Sequence, residues 1–287
     1  KDRVYVFTRS RHPMMIFDRE GNFLKSWGEG LFTCPHNVRI GPDGSVYCVD
    51  RDDHTVRKLT FEGEVLLTLG SKDKPSDTGC INRDHRTIKR VSGPFNGPTD
   101  VAFSPSGELY VSDGYGNARV HKFSKDGKLL FSWGELGDGP GQFRLPHSVY
   151  VDRQGRVYVA DRENSRIQIF TSDGEFITQW TDVNRPTDIF IDDEAVYVSE
   201  LGYMVGQRLA MSIPTDREKL SRVSILSPNG EALARWCGED RCAPGNFFAA
   251  HSICVDSRGD IYVGELTVTS SAPSGCHALQ KFARKRS

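Results

Sequence analysis

The sequence predicts an all-β protein, a β-propeller of six four-stranded antiparallel blades around a central channel. Three observations carry this. One tyrosine-bearing strand pattern occurs six times, Asp-Gly-type turns recur at fixed places around it, and helical periodicity is nearly absent. The strand reads apolar-Tyr-Val and ends near a carboxylate, at residues 45–50, 108–113, 156–161, 195–200 and 260–265, with a less regular copy at 3–8. Radial repetition of such units disposes of exposed sheet edges, which a sandwich would not do at this period.

Taken in chain order, each tyrosine strand after the first follows a strand, in most copies opening on proline, and a tight turn. Residues 35–40 lead to Asp43-Gly44, 98–103 to Ser106-Gly107, and 146–151 to Gln154-Gly155. A third strand comes next, as at 118–123 and 165–170, then a second turn such as Glu62-Gly63 or Asp126-Gly127 that closes a hairpin. The fourth strand ends on Trp27, Trp133, Trp180 or Trp236, with Leu69 at that place in the second copy. The chain, 1–287, is expected to be one domain, with blades starting near residues 1, 34, 97, 145, 185 and 249. The first copy lacks its opening strand and the last stops after its third, so strand material before Lys1 is expected to complete the ring. Residues 214–222 are the one modest helix candidate. Two stretches exceed the repeat, 71–91 and 202–221, and long excursions from a compact repeat are commonly binding loops.

Composition narrows the function. The chain holds 37 Lys+Arg against 38 Asp+Glu, a net charge of −1, which leaves no electrostatic footprint for nucleic acid or an anionic membrane. No run of 18 apolar residues is present, so no membrane-spanning helix is expected. The opening residues Lys1-Asp2-Arg3-Val4-Tyr5-Val6 lack the apolar core of a signal peptide. Seven cysteines, odd in number and irregular in spacing, predict no disulfide framework.

In a propeller the first strand of each blade lines the channel, so one equivalent position per blade stands at its mouth. That position holds His36, Thr99, His147, Thr187 and His251: histidine in blades two, four and six, threonine in three and five. Alternate blades of a six-blade ring lie ~120° apart by symmetry, so the three imidazoles are expected to converge. Three neutral imidazoles with an open fourth position make a catalytic zinc site, and nitrogen ligands also suit iron, copper or nickel. Any one channel histidine has a plain alternative, that it binds only water; strict alternation at one repeat position weighs against this for three. His12, His54, His85, His121 and His277 fall outside the position and read as structural or surface histidines. The pairs Thr99-Asp100 and Thr187-Asp188 read as blade-opening turn residues. Where the tyrosine strands end stand Arg9, Arg51, Tyr115 and Arg162, a phenol and guanidinium groups suited to holding an anion and moving a proton. Arg119 and Arg166, one strand later, fit a structural reading, as solvated charges or blade-to-blade ion pairs, and Arg51 is left undecided.

The repeat resembles the NHL class of propeller, and the words together resemble the catalytic domain of peptidyl-α-hydroxyglycine α-amidating lyase. The most specific stretches are residues 98–102, 111–115, 133–135, 141–143 with 146–148, and 160–164. The resemblance implies a catalytic zinc on His36, His147 and His251, an active-site tyrosine at Tyr115, and functional arginines at Arg9 and Arg162. Departures are equally informative. The last histidine sits in Ala249-Ala250-His251-Ser252 where the family has Met-Pro-His-Asp, and loss of that acid counts against a structural calcium. The four cysteines of the family's two disulfides are replaced by Asn96, Gly116, Tyr158 and Ile169, which implies a reducing, cytoplasmic setting. Cys237 and Cys242 remain as a candidate pair.

The reaction implied is collapse of a carbinolamide, R–CO–NH–CH(OH)–R′, to an amide and an aldehyde such as glyoxylate. The expected roles are metal ligation by His36, His147 and His251, general base by Tyr115, and anion holding or support of ionised Tyr115 by Arg9 and Arg162. The expected substrate is a small or short peptide-like carbinolamide, chosen by the loops 71–91 and 202–221. Two other classes compete: a propeller lactone hydrolase of gluconolactonase type, which would surround its metal with oxygen ligands, and a non-catalytic NHL interaction module, which would hold no metal.

Overall fold

The computed structural model describes residues 3–203 and 218–285. Most of the excursion at 202–221 and the first four residues of the helix candidate at 214–222 therefore lie outside the described residues. Where 214–222 is described it is not helical, and Arg222 opens a strand instead.

Among the described residues the regular elements are strands apart from two single 3-10 turns, and the strands form six blade sheets and one short two-stranded pair. The chain resolves into two compact units, Lys1–Pro146 and His147–Ser287. The first unit begins with a three-stranded blade, β1 (Arg3–Phe7), β2 (Met14–Asp18) and β3 (Phe23–Trp27). Two four-stranded blades follow. One is β4 (Pro35–Ile40), β5 (Val46–Asp50), β6 (Thr55–Leu59) and β7 (Val65–Gly70); the other is β8 (Pro98–Phe103), β9 (Leu109–Asp113), β10 (Arg119–Phe123) and β11 (Leu129–Trp133). A short parallel pair absent from the sequence reading, β12 (Glu135–Leu136) and β13 (Gln142–Phe143), closes the unit. Beyond it, β14 (Pro146–Val151) starts the fourth blade, completed by β15 (Val157–Asp161), β16 (Arg166–Phe170) and β17 (Phe176–Trp180). The fifth is β18 (Pro186–Ile191), β19 (Val196–Glu200), β20 (Arg222–Leu226) and β21 (Ala232–Trp236). The last has three strands, β22 (Ala250–Val255), β23 (Ile261–Glu265) and β24 (Leu279–Phe282).

The apolar-Tyr-Val pattern has a packing reason. β5, β9, β15 and β19 are buried along their whole length, because each is flanked by partners in its own sheet and covered on both faces. Tyr47, Val49, Phe95, Val101 and Val111 fill the space between the second and third blades, and Tyr158, Ile167, Ile189 and Val198 do so between the fourth and fifth. Each such side chain contributes about 1.5–3 kcal/mol of burial.

The carboxylate that ends the pattern fastens the chain entering the same blade. Asp50 accepts the backbone N–H groups of Thr33 (2.6 Å) and Cys34 (2.9 Å), just ahead of β4. Asp113 takes the N–H of Asn96 at 2.9 Å ahead of β8. Glu200 takes Asn184 at 2.5 Å ahead of β18, and Glu265 takes Phe248 (2.7 Å) and Ala249 (3.1 Å) ahead of β22. The first residues of the opening strands are thereby held, and these are the residues that carry the candidate site.

The cysteines differ from expectation. Cys242 and Cys276 are joined by a disulfide, so the candidate pair Cys237–Cys242 is not formed; Cys34, Cys48, Cys80, Cys237 and Cys254 stand outside that bond. The pairing depends on the return of the chain through the last blade, which spacing alone does not reveal. Asn96 and Gly116, which replace one family pair, are joined by a 2.7 Å backbone bond, and Tyr158 and Ile169 are cross-strand partners. Among the described residues no helix is long and apolar enough to cross a membrane.

Candidate metal centre

The repeat position that holds histidine or threonine is an irregularity in its strand. β4 pairs with β5 through Pro35 and Asn37 and skips His36; β8 likewise skips Thr99, β18 skips Thr187 and β22 skips His251. A bulged residue falls out of the ladder, and its side chain leaves the in-out alternation. Proline just before three of these positions suits the break, since it has no N–H to give the ladder.

In the first unit the half-buried His36 is fixed at both nitrogens. Nδ1 lies 2.6 Å from the Thr99 carbonyl oxygen, which can only accept, so Nδ1 carries the proton and Nε2 offers its lone pair. The Tyr115 hydroxyl, 3.0 Å away, donates to that lone pair. Tyr115 is buried, and its backbone N–H bonds the Gly97 carbonyl at 3.2 Å. Glycine is required before it: a Cβ on Gly114 would stand 2.3 Å from the Pro146 carbonyl oxygen. Arg51, undecided from sequence, lies over the Tyr115 ring, its guanidinium carbon 5.0 Å from the centroid, and is held by Asp52 at 2.6 and 3.1 Å. Arg9 is exposed and donates from Nε to the carbonyl of Pro35 at 3.1 Å, one residue ahead of His36. The excursion 71–91 is seated on the tyrosine's own segment: Thr78 Oγ1 donates to the Gly116 carbonyl at 2.6 Å, and Cys80 Sγ lies 3.9 Å from the Tyr115 carbonyl.

The second unit repeats the pattern. His147 Nδ1 lies 2.7 Å from the Thr187 carbonyl, so Nδ1 carries the proton and Nε2 is the nitrogen that bears the lone pair. The rings of His147 and His251 meet edge to face with centroids 4.7 Å apart. Arg162, in the turn Arg162–Asn164, is buried and bonds Glu163 at 2.8 Å; Arg185 reaches the same carboxylate at 2.8 Å. Burial pushes the Glu163 carboxyl up, but Arg162 and Arg185 outweigh it and hold it below the usual carboxylate range. Sequence reading passed over Glu163 and Arg185, because adjacent opposite charges in a loop look like surface.

The first unit thus presents the Nε2 of His36, and the second brings the imidazoles of His147 and His251 together. Orientation by a backbone carbonyl on the far ring nitrogen is the usual outer arrangement of a metal-ligating histidine.

Other expectations are corrected. Thr99, Asp100, Thr187 and Asp188 are buried strand residues, not turn residues. Thr99 Oγ1 bonds Ser112 Oγ (2.7 Å) and the Pro146 carbonyl (2.9 Å), and Thr187 Oγ1 bonds Ser199 Oγ (2.9 Å) and the Ala250 carbonyl (3.1 Å). Asp100 takes Arg39 in a fork, and Asp188 accepts from Ser148 and the Ile253 N–H, so both tie neighbouring opening strands. Arg166 pairs with Asp161 of its own blade at 2.8 Å, and Arg119 donates to the Ser132 carbonyl, so neither bridges blades in these bonds. His121 is buried against Ser132 and Asp113, His54 accepts the Gly97 N–H, His85 is buried, and His12 and His277 are exposed.

Fold and repeat define a β-propeller, and within it the NHL repeat model matches residues 95–123 and 143–170. More particularly, the chain has homologues named for amidation. It is 39% identical over 162 residues to peptidyl-glycine α-amidating monooxygenase B of Xenopus laevis, covering 54% of this chain and 17% of that one. It is 31% identical over 160 residues to peptidyl-α-hydroxyglycine α-amidating lyase 1 of Drosophila melanogaster, covering 52% and 27%. NHL repeat-containing protein 3 of Mus musculus is 34% identical over 177 residues, covering 58% and 48%. The match spans under half the length of each relative. A solved structure of a protein of unknown function from Bacteroides caccae shares the fold, with TM-score 0.60 at 12% identity over 92% of this chain and 82% of that one.

Proposed function

We infer that the protein is a metal-dependent carbon–nitrogen lyase acting on a carbinolamide, R–CO–NH–CH(OH)–R′, to release R–CO–NH2 and OHC–R′. The observation that carries the reading is the shared orientation of His36 and His147, each with Nδ1 on a backbone carbonyl, with the ring of His251 against His147 and a buried tyrosine hydroxyl 3.0 Å from His36 Nε2. The similarity to a named amidating lyase supports the reaction type.

The donor set fits zinc: neutral imidazoles, two of them with Nδ1 engaged and Nε2 presented. When bound, zinc supplies a Lewis acid for the substrate oxygen. The chain's own groups do the rest. Tyr115 takes the hydroxyl proton as the C–N bond breaks, and a proton returns to the departing amide nitrogen. Arg9 and Arg162 hold the substrate carboxylate when R′ is one, a guanidinium fork matching its two oxygens. Glu163 keeps Arg162 in place from behind. The substrate is a small or short peptide-like carbinolamide, and the balanced charge favours neither nucleic acid nor membrane as a partner. Loss of both family disulfide pairs and the five cysteines outside the Cys242–Cys276 bond support a cytoplasmic setting; that bond stands against it.

The test is turnover of α-hydroxyhippurate to benzamide and glyoxylate by protein purified without chelator. About one zinc per chain is expected, lost in His147→Ala. Tyr115→Phe is expected to keep the metal and lose about 10²- to 10⁴-fold in turnover. A metal-free folded protein, no turnover of any carbinolamide, or near-normal activity in Tyr115→Phe would overturn the assignment.

A further inference from the structure

We propose that Arg9, Arg51 and Arg83 form an anion subsite beside Tyr115, in which Arg83 selects substrates carrying a second carboxylate. This rests on the lyase reading, whose substrate already bears one carboxylate when the aldehyde released is glyoxylate.

Two guanidinium groups share one acid, and the charge of a third reaches it. Asp52 accepts Arg51 at 2.6 and 3.1 Å and Arg83 Nη2 at 3.2 Å. Burial pushes the Asp52 carboxyl up, yet the bond from Arg51 and the charges of Arg51, Arg83 and Arg9 hold it below the usual carboxylate range. The charges behind this rim are already engaged. Asp53 takes Arg57 and Thr55, and Asp50, itself 4.0 Å from Arg57, accepts backbone N–H groups of Thr33, Cys34, Asp52 and Asp53. Arg51 thus lies over the tyrosine ring, Arg83 joins it through their shared Asp52, and Arg9 is fixed beside the strand that carries His36. Arg9 uses only Nε, and among the described residues its two terminal amino groups meet no protein acceptor. Arg83 makes its single bond to Asp52 while 52% exposed.

The backbone also singles out Arg83. Ile81 and Asp84 pair across a two-residue turn whose central residues, Asn82 (φ 53°) and Arg83 (φ 58°), are both left-handed. Glycine is the residue such a turn favours at its second position, so a long cationic side chain is kept there against local preference. The loop carrying the turn is fastened to the Tyr115 segment through Thr78, which sets Arg83 relative to that tyrosine. A carboxylate is the natural partner of a guanidinium fork. One carboxylate occupies Arg9; Arg83 and the outer face of Arg51 are left for another, on the acyl side of the carbinolamide.

The experiment needs no turnover. The full chain is titrated at low ionic strength by calorimetry with N-acetylglycine, which has one carboxylate, and N-succinylglycine, which has two. About tenfold tighter binding of the second is expected, the size of one charge-assisted hydrogen bond. Arg83→Gln is expected to erase that preference. Equal affinities in the wild type, no binding of either probe, or a preference that survives in Arg83→Gln would overturn the subsite. α-Hydroxyhippurate turnover on the same preparation separates the two readings. Preference without turnover removes the lyase and keeps the subsite; turnover without preference does the reverse.

Discussion

Nε2 of His36 cannot accept the Tyr115 proton and ligate a metal at the same time. Loading the three imidazoles must therefore release the tyrosine hydroxyl from its present partner. Metal titration of the wild type is expected to change the tyrosine ultraviolet difference spectrum, and the change should vanish in Tyr115→Phe. Metal binding with an unaltered spectrum would show that the hydroxyl never left His36. At this scale the sequence was readable where a residue repeats. His36, His147 and His251 share a position, and a proline or alanine ahead of a bulge marks it. Arg51 was unreadable because its partner Tyr115 belongs to the next blade, and nothing in either segment encodes the ring-to-guanidinium contact.

Strands and turns set the next scale. Gly114 closes β9 against the Pro146 carbonyl, so Gly114→Ala forces the Tyr115 turn outward. A loss of about 1–3 kcal/mol in denaturant unfolding is expected, together with reduced turnover. The Arg162–Asn164 turn depends on Glu163, whose carboxylate faces both Arg162 and Arg185. Glu163→Gln leaves two buried guanidinium groups without their counter-charge and is expected to cost about 3–5 kcal/mol. The pH dependence has a definite sign. The folded Glu163 carboxyl lies below its unfolded value, so its contribution is complete above the ordinary carboxyl range. It is lost as pH falls through the folded value, and Glu163→Gln should flatten that acid limb of the stability curve. The end-of-strand carboxylates were legible as a recurring letter. Their work, holding the N–H groups of the entering chain, was not, because it joins residues about one hairpin apart.

For the whole molecule, blade number and strand order were legible because periodic sequence maps directly onto radial repetition. The disulfide was not, since cysteine pairing follows spatial return rather than spacing. Five of seven thiols are expected to react under denaturing, non-reducing conditions, and seven after reduction. The bond closes a separation of 34 residues, and its reduction is expected to lower stability by about 3–4 kcal/mol, read as a shift in the unfolding midpoint. Seven reactive thiols without reductant would place the protein wholly in the reduced form.

The threonines of the third and fifth blades look backward and forward at once. Each gives its carbonyl to the imidazole of the preceding blade and its hydroxyl to the carbonyl just before the next histidine, Thr99 between His36 and Pro146, Thr187 between His147 and Ala250. The repeating device is accordingly a pair of unlike blades, seen twice: a histidine blade followed by the threonine blade that orients its imidazole. A lineage that gained or lost a single blade would set threonine beside threonine or histidine beside histidine and break the alternation. An exchange of blades that keeps each imidazole oriented must therefore move them in twos.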